Sequence, residues 1–344
     1  MMTAVSIFGT VATAGGPPPP DATTTATAAV TTDAGARRPR GEDFAPPEEF
    51  VTVDSITTHF VRKGQTGRPV VLVHGFGSST YTWTRVLDAL APGHRVYALD
   101  LKGFGLTDKP KDGQYHMDAY TRHLLGFLDV MKLDRPVLVG HSLGGAVVTR
   151  LALLHPDRVG ALVLEDPIPV SLPRATAAEL LKRAGEGGVA AEHKPGTAAH
   201  HAALLNPALA RRMLPTLLRS TITRQTVENG LKVAYHDPRF VTAELVEVVY
   251  RPLTFDGAAE ALASMMNPPP VPPAPLPPLD GLRLPALIAW GGHDKVMPVA
   301  LFEQYAGSIP GAVKAVFAGS GHVPHEEEAD AFNARLLGFL KTLP

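Results

Sequence analysis

The chain has 344 residues, 45% of them hydrophobic, with 32 Lys and Arg against 33 Asp and Glu, a formal net charge of −1, and no cysteine. That length and apolar share suit one large α/β domain, or a domain carrying an insertion, around a buried core. Balanced charge without a long basic run leaves little to attract nucleic acid or an anionic membrane surface, and the missing cysteines exclude disulfides, thiolate nucleophiles and Cys-based zinc sites.

Residues 1–43 are rich in Thr, Ala, Gly and Pro, including Pro17 to Pro20 and the basic cluster Arg37, Arg38 and Arg40. Such a segment buries too little apolar surface to offset the entropy of ordering it, so a disordered tail is predicted. Val5 to Ala14 resembles the apolar core of a secretory signal, with Ala12-Thr13-Ala14 as a small-residue cleavage site, but no Lys or Arg precedes it. A cytoplasmic location is the first expectation and secretion the alternative. No apolar run reaches the roughly 18 residues of a membrane-spanning helix.

From Glu49 to about Gly64 the pattern alternates and is rich in β-branched residues, predicting one or two edge strands. Unbroken apolar runs follow at Val70–Val73, Val96–Leu99, Val137–Val139, Ala161–Leu164, Ala286–Trp290 and Val313–Phe317, as expected of strands buried on both faces. Helical patterns separate most of them, at about Tyr81–Ala91, Met117–Leu133, Gly145–His155, Pro298–Ser308 and His325–Lys341. Strand alternating with helix predicts a mostly parallel, doubly wound sheet with helices on both faces. Residues 44–167 and 281–344 would form this α/β core.

The rhythm breaks at residues 168–267, where helical texture such as Ala177–Ala184, Ala208–Arg219 and Thr242–Tyr250 runs without a convincing buried strand. This stretch follows a strand's carboxyl end, where open α/β sheets bind ligands, and is read as a helical cap. Residues 268–280 hold eight prolines in thirteen positions and are predicted to be a stiff linker back to the core.

Chemistry concentrates at three loops. In G-H-S-L-G-G, Ser142 stands where an apolar strand gives way to a helix, and Gly140 and Gly144 permit a turn too tight for bulky neighbours. A serine hydroxyl needs a base to take its proton and an acid to orient that base. His322, in G-S-G-H-V-P-H-E-E, and Asp294, in W-G-G-H-D-K-V-M-P, each lie just past a strand at the same sheet edge, in the order Ser, Asp, His. Asp166, in L-E-D-P, ends another strand and is the rival acid. Leu72 to Ser79, L-V-H-G-F-G-S-S, supplies a Gly-flanked loop from which the N–H of Phe76, with that of Leu143, would stabilise an oxyanion. His193, His200 and His201, and the pair His322 and His325, do not make a set of three or four metal ligands, so no metal is expected. Gly103 and Gly105 do not lie in a dinucleotide-binding fingerprint.

On these motifs, together with D-L-K-G-F-G-L-T-D-K-P (Asp100 to Pro110), the chain resembles the α/β-hydrolase fold superfamily, specifically its serine hydrolases with a helical cap, over about Phe50 to Leu343. That group includes carbon–carbon bond hydrolases, esterases, epoxide hydrolases and haloalkane dehalogenases. Ser142 departs from the last two, which carry Asp as nucleophile. The resemblance implies a cofactor-free hydrolase acting on a small-molecule carboxylic ester or related carbonyl compound. Carbon–carbon hydrolase, perhydrolase or lyase chemistry by the same residues, and a ligand receptor with the residues idle, are the alternatives.

Overall fold

The computed structural model describes residues 48–170, 207–266 and 275–344. The predicted tail, the helix at Ala177–Ala184, the cap histidines 193, 200 and 201 and the first part of the proline linker lie outside them.

Eight strands form one sheet: β1 (Glu49–Val53), β2 (Ile56–Lys63), β3 (Pro69–Val73), β4 (Arg95–Leu99), β5 (Val137–His141), β6 (Ala161–Glu165), β7 (Ala286–Gly291) and β8 (Val313–Phe317), in the spatial order 1-2-4-3-5-6-7-8. Asp54 and Ser55 both take positive φ, 46° and 66°, the two-residue turn whose twist suits a hairpin, and β1 and β2 pair antiparallel across it. β2 is antiparallel to β4, and every other pair is parallel. The chain leaves β3 for β4 on one side and returns to β5 on the other. That reversal makes a crevice at the carboxyl ends of β3 and β5, where sheets of this class take ligands.

Period-2 alternation splits the apolar strands between two cores. Val71, Val73, Leu138, Leu162, Leu164, Ile288 and Trp290 face one side, covered by α2 (Met117–Val130), α3 (Leu143–Leu154) and α8 (Phe302–Gly307). Val70, Leu72, Val137, Val139, Val163 and Leu287 face the other, under α1 (Thr84–Leu90) and α10 (Ala329–Lys341). The expectation that Val313–Phe317 is buried on both faces is corrected: β8 is the sheet's last strand, with Val313 and Val316 exposed and only Phe317 buried. The helix expected from His325 to Lys341 is two pieces, a single turn α9 (Pro324–Glu327) and α10, broken at Glu328.

Between β6 and β7 the described residues include α4 (Pro207–Thr221), α5 (Arg224–Ala234), α6 (Ala243–Leu253) and α7 (Ala258–Met266). Thr223 and Thr226 form a reciprocal capping box at the start of α5. Ala261, Leu262 and Met265 of α7 pack into the first core, while Tyr235 and Leu245 meet Val323, the neighbour of His322. Among the described residues no helix is long and apolar enough to cross a membrane.

Candidate active site

Ser142 is the single residue between β5 and α3, at φ 50° and ψ −112°, a left-handed conformation that a non-glycine residue holds only under strong constraint. The constraints are visible. Its N–H donates to the Glu165 carbonyl (2.9 Å), and its carbonyl accepts from Ile168 (3.0 Å) and Ala146 (3.2 Å), so the end of β6 grips the turn. A β-carbon on Gly144 would run into the Val73 carbonyl, and one on Gly140 would come within 2.5 Å of the Gly144 carbonyl. Leu143 opens α3, so its N–H has no partner within the helix.

The loop after β3 runs against this turn. A β-carbon on Gly75 would lie 3.1 Å from that of Ser142 and 2.8 Å from His141 Nδ1. His74 braces the loop: its Nδ1–H donates to the Gly75 carbonyl (2.7 Å) and its Nε2 accepts from the Leu101 N–H (3.0 Å). Burial holds its pKa below the ordinary value, as this neutral tautomer requires. Asp100, at the end of β4, accepts from Thr80 N–H (2.6 Å), Leu106 N–H (2.8 Å) and His59 Nδ1 (2.7 Å). Burial alone would raise its pKa, but His59 and these bonds hold it well below the usual carboxylate range. Phe76 follows Gly75, its side chain 42% exposed and edge-on to Phe104.

His322 and Asp294 come together. His322 Nδ1 lies 2.6 Å from Asp294 Oδ2, with both residues buried. Asp294 Oδ1 accepts from the N–H groups of Val296 (2.7 Å) and Met297 (2.9 Å), which hold the carboxylate in its own turn. The loops after β7 and β8 are laced by Gly292 N–H to Phe317 (2.7 Å) and His293 N–H to Ser320 (2.9 Å). His141 Nε2 reaches the His322 carbonyl at 2.7 Å, and the His322 N–H donates to Ala234 at the end of α5 (2.7 Å). With Nδ1–H committed to Asp294, Nε2 is the nitrogen left to accept a proton. Asp166 does not take that bond; its Oδ1 accepts from Gly291 N–H (2.9 Å). Asp166, Asp294 and His322 each offer an atom within 4.8 Å of the others, a spacing that could also hold a metal ion.

Two supporting groups escaped the sequence reading. His74 and Asp100 stood in motifs already noted, but their partners lie 27 and 41 positions away, and periodicity carries no trace of them. Behind His322, the buried His325 bonds Glu165 through Nδ1 (2.9 Å) and Thr82 through Nε2 (2.6 Å) and stacks on Trp83 with ring centres 4.3 Å apart. Burial lowers the His325 pKa, but the Glu165 carboxylate outweighs it and the net shift is upward.

The profile of the alpha/beta hydrolase fold matches residues 68–329, well over half of the sequence. The chain belongs to the alpha/beta hydrolase fold family. Among curated relatives, a 2-hydroxymuconate semialdehyde hydrolase of Pseudomonas sp. (strain CF600) is 29% identical over 288 residues, covering 80% of this chain and 87% of that one. The dihydrolipoyllysine-residue acetyltransferase component of the acetoin cleaving system of Cupriavidus necator is 27% identical over 301 residues, covering 86% of this chain and 69% of its own. A crystal structure of a meta-cleavage product hydrolase variant superposes with a TM-score of 0.66 at 25% identity, over 85% of this chain and 97% of the other. An esterase from Thermogutta terrifontis shares the fold, with a TM-score of 0.61 at 23% identity, over 86% of this chain and 98% of that one.

Proposed function

We propose that this alpha/beta hydrolase is a cofactor-free serine hydrolase of a carboxylic ester or related carbonyl compound, with residues 168–267 as a cap over the site. What supports the reading is a strained, buried Ser142 at the carboxyl end of β5 and a His322–Asp294 couple 2.6 Å long in the loops at the same sheet edge. Ser142 Oγ attacks the carbonyl carbon while His322 Nε2 takes its proton. The N–H groups of Phe76 and Leu143 hold the resulting oxyanion. Collapse expels the alkoxide, which leaves with the proton from His322, and water then cleaves the acyl-enzyme by the same steps. Asp294 keeps His322 in the Nδ1–H tautomer and stabilises its charged form.

A fluorophosphonate probe, which phosphonylates activated serines, should label Ser142. Ser142→Ala should fold normally and lose ester hydrolysis by about three to six orders of magnitude. An unlabelled folded protein, or turnover retained by the variant, would remove this reading and favour a ligand receptor.

The likeness to 2-hydroxymuconate semialdehyde hydrolase favours a second reading, hydrolysis of a carbon–carbon bond next to a carbonyl. The same nucleophile and base serve it. The ratio of kcat/KM for 2-hydroxymuconate semialdehyde to that for a p-nitrophenyl ester decides between them.

A further inference from the structure

Asp166 has no part in the steps above, yet it is fully buried beside Asp294 and His322. Its Oδ1 is occupied by Gly291 N–H, while its Oδ2 is buried with no hydrogen-bond donor facing it among the described residues. Two ionised carboxylates so close together and so deeply buried repel strongly, so one of them holds a proton. The donors decide which. Among the described residues Asp294 receives three, from His322, Val296 and Met297, whereas Asp166 receives one, from Gly291. The negative charge therefore settles on Asp294.

We propose that Asp166 is a neutral carboxylic acid whose O–H donates to the Asp294 carboxylate, making it a positioning residue that fixes the acid behind His322. The proposal rests on the assignment of Asp294 and His322 to the catalytic couple. Burial and then the charge of Asp294 push the Asp166 carboxyl well above its usual range, and Glu165 on β6 adds to the push, although Glu165 is itself engaged by His325. The backbone agrees. Asp166 sits at φ 41°, and the grip of β6 on Ser142 runs through the adjacent Glu165 carbonyl. One hydroxyl proton thus joins the strand that holds the nucleophile to the acid that holds the base.

Asp166→Asn keeps the acceptor for Gly291, tolerates the left-handed backbone and supplies an N–H donor to Asp294, but cannot titrate. Difference infrared spectra of the full-length protein at neutral pH, wild type minus D166N, should contain one protonated-carboxyl C=O stretch. D166N should retain at least about a tenth of wild-type kcat, with the acid limb of its kcat/KM profile within about 0.3 pH units of wild type, because no charge near His322 has been removed. D166A, which cannot donate, should lose about 100-fold in kcat with KM within about threefold. A missing carboxyl band, or an acid limb moved down by about one unit or more in D166N, would mean that Asp166 is ionised and would overturn the proposal. So would a folded D166A as active as D166N; should D166A fail to fold, the spectrum and the D166N profile decide. Failure of the catalytic assignment reads differently: Ser142→Ala would keep its turnover while the carboxyl band stayed in place.

Discussion

Two carboxylates compete for one job at the residue scale, and their hydrogen bonds separate them. Within 4.8 Å of each other and at an effective dielectric of about 20, two like charges repel by about 3 kcal/mol or more, so their roles must differ. Asp294 bonds the imidazole and Asp166 does not. Asp294→Asn is therefore expected to lower kcat by about 10⁴-fold through the wrong His322 tautomer, against at most about tenfold for Asp166→Asn. Steady-state kinetics on both folded variants test this, and the opposite order would reassign the acid. Stability gives an independent measure. The Asp166 carboxyl has a raised pKa in the folded state, so between the ordinary value of 3.8 and that raised value the native chain holds a proton that the unfolded chain releases. Stability linked to this group is thus fully present below pH 3.8 and declines as pH rises above it. The Tm of D166N minus that of wild type should grow from pH 4 to pH 8, and a flat difference in calorimetry would count against a raised Asp166 pKa.

Elements succeed or fail here by how the backbone approaches itself. The turn from β5 to α3 was legible in the sequence because Gly140 and Gly144 are demanded by carbonyl oxygens of the turn and of β3, a need that leaves its mark in residue type. Gly144→Ala should accordingly cost about 3 kcal/mol or more, since the obstructing atom is backbone and cannot swing away. A melting temperature within a few degrees of wild type would refute that packing. The edge position of β8 was not legible, because V-K-A-V-F has the apolar content of an inner strand and only the sheet order decides what covers it. Within the helical stretch, the bounds of α5 and α7 were not legible either. α5 begins with a Thr223–Thr226 box rather than a run of apolar residues, and α7 shows its core-facing side only once Ala261 and Met265 have a core to meet. The candidate triad, by contrast, followed from strand ends and chain order, while its supports at His74, Asp100 and Asp166 depend on contacts distant in sequence.

Across the whole molecule, the helices between β6 and β7 are tied to the loop that carries His322. The Ala234 carbonyl accepts from His322 N–H, the Tyr235 hydroxyl donates to Glu326 (2.6 Å), and Glu327 accepts from His236 (2.9 Å) and Asp237 (2.8 Å) on one oxygen and from Gly321 (2.6 Å) on the other. Glu327 is half-buried, so its bonds are shielded from solvent more than those of a surface ion pair. Movement of this insertion would drag His322 with it, which supports the proposed cap as a fixed cover rather than a flap that opens onto a lipid surface. Tyr235, Leu245 and Val323 give that junction an apolar lining one residue from His322. On the proposed reading that this insertion caps Ser142, the site takes its substrate by enclosing it, and the enclosed volume sets a ceiling on acyl length. Rates measured across p-nitrophenyl esters of increasing chain length should therefore peak at short or medium chains and fall beyond them, without activation by emulsified lipid. A maximum at long chains with interfacial activation would mean that the insertion does not cover Ser142.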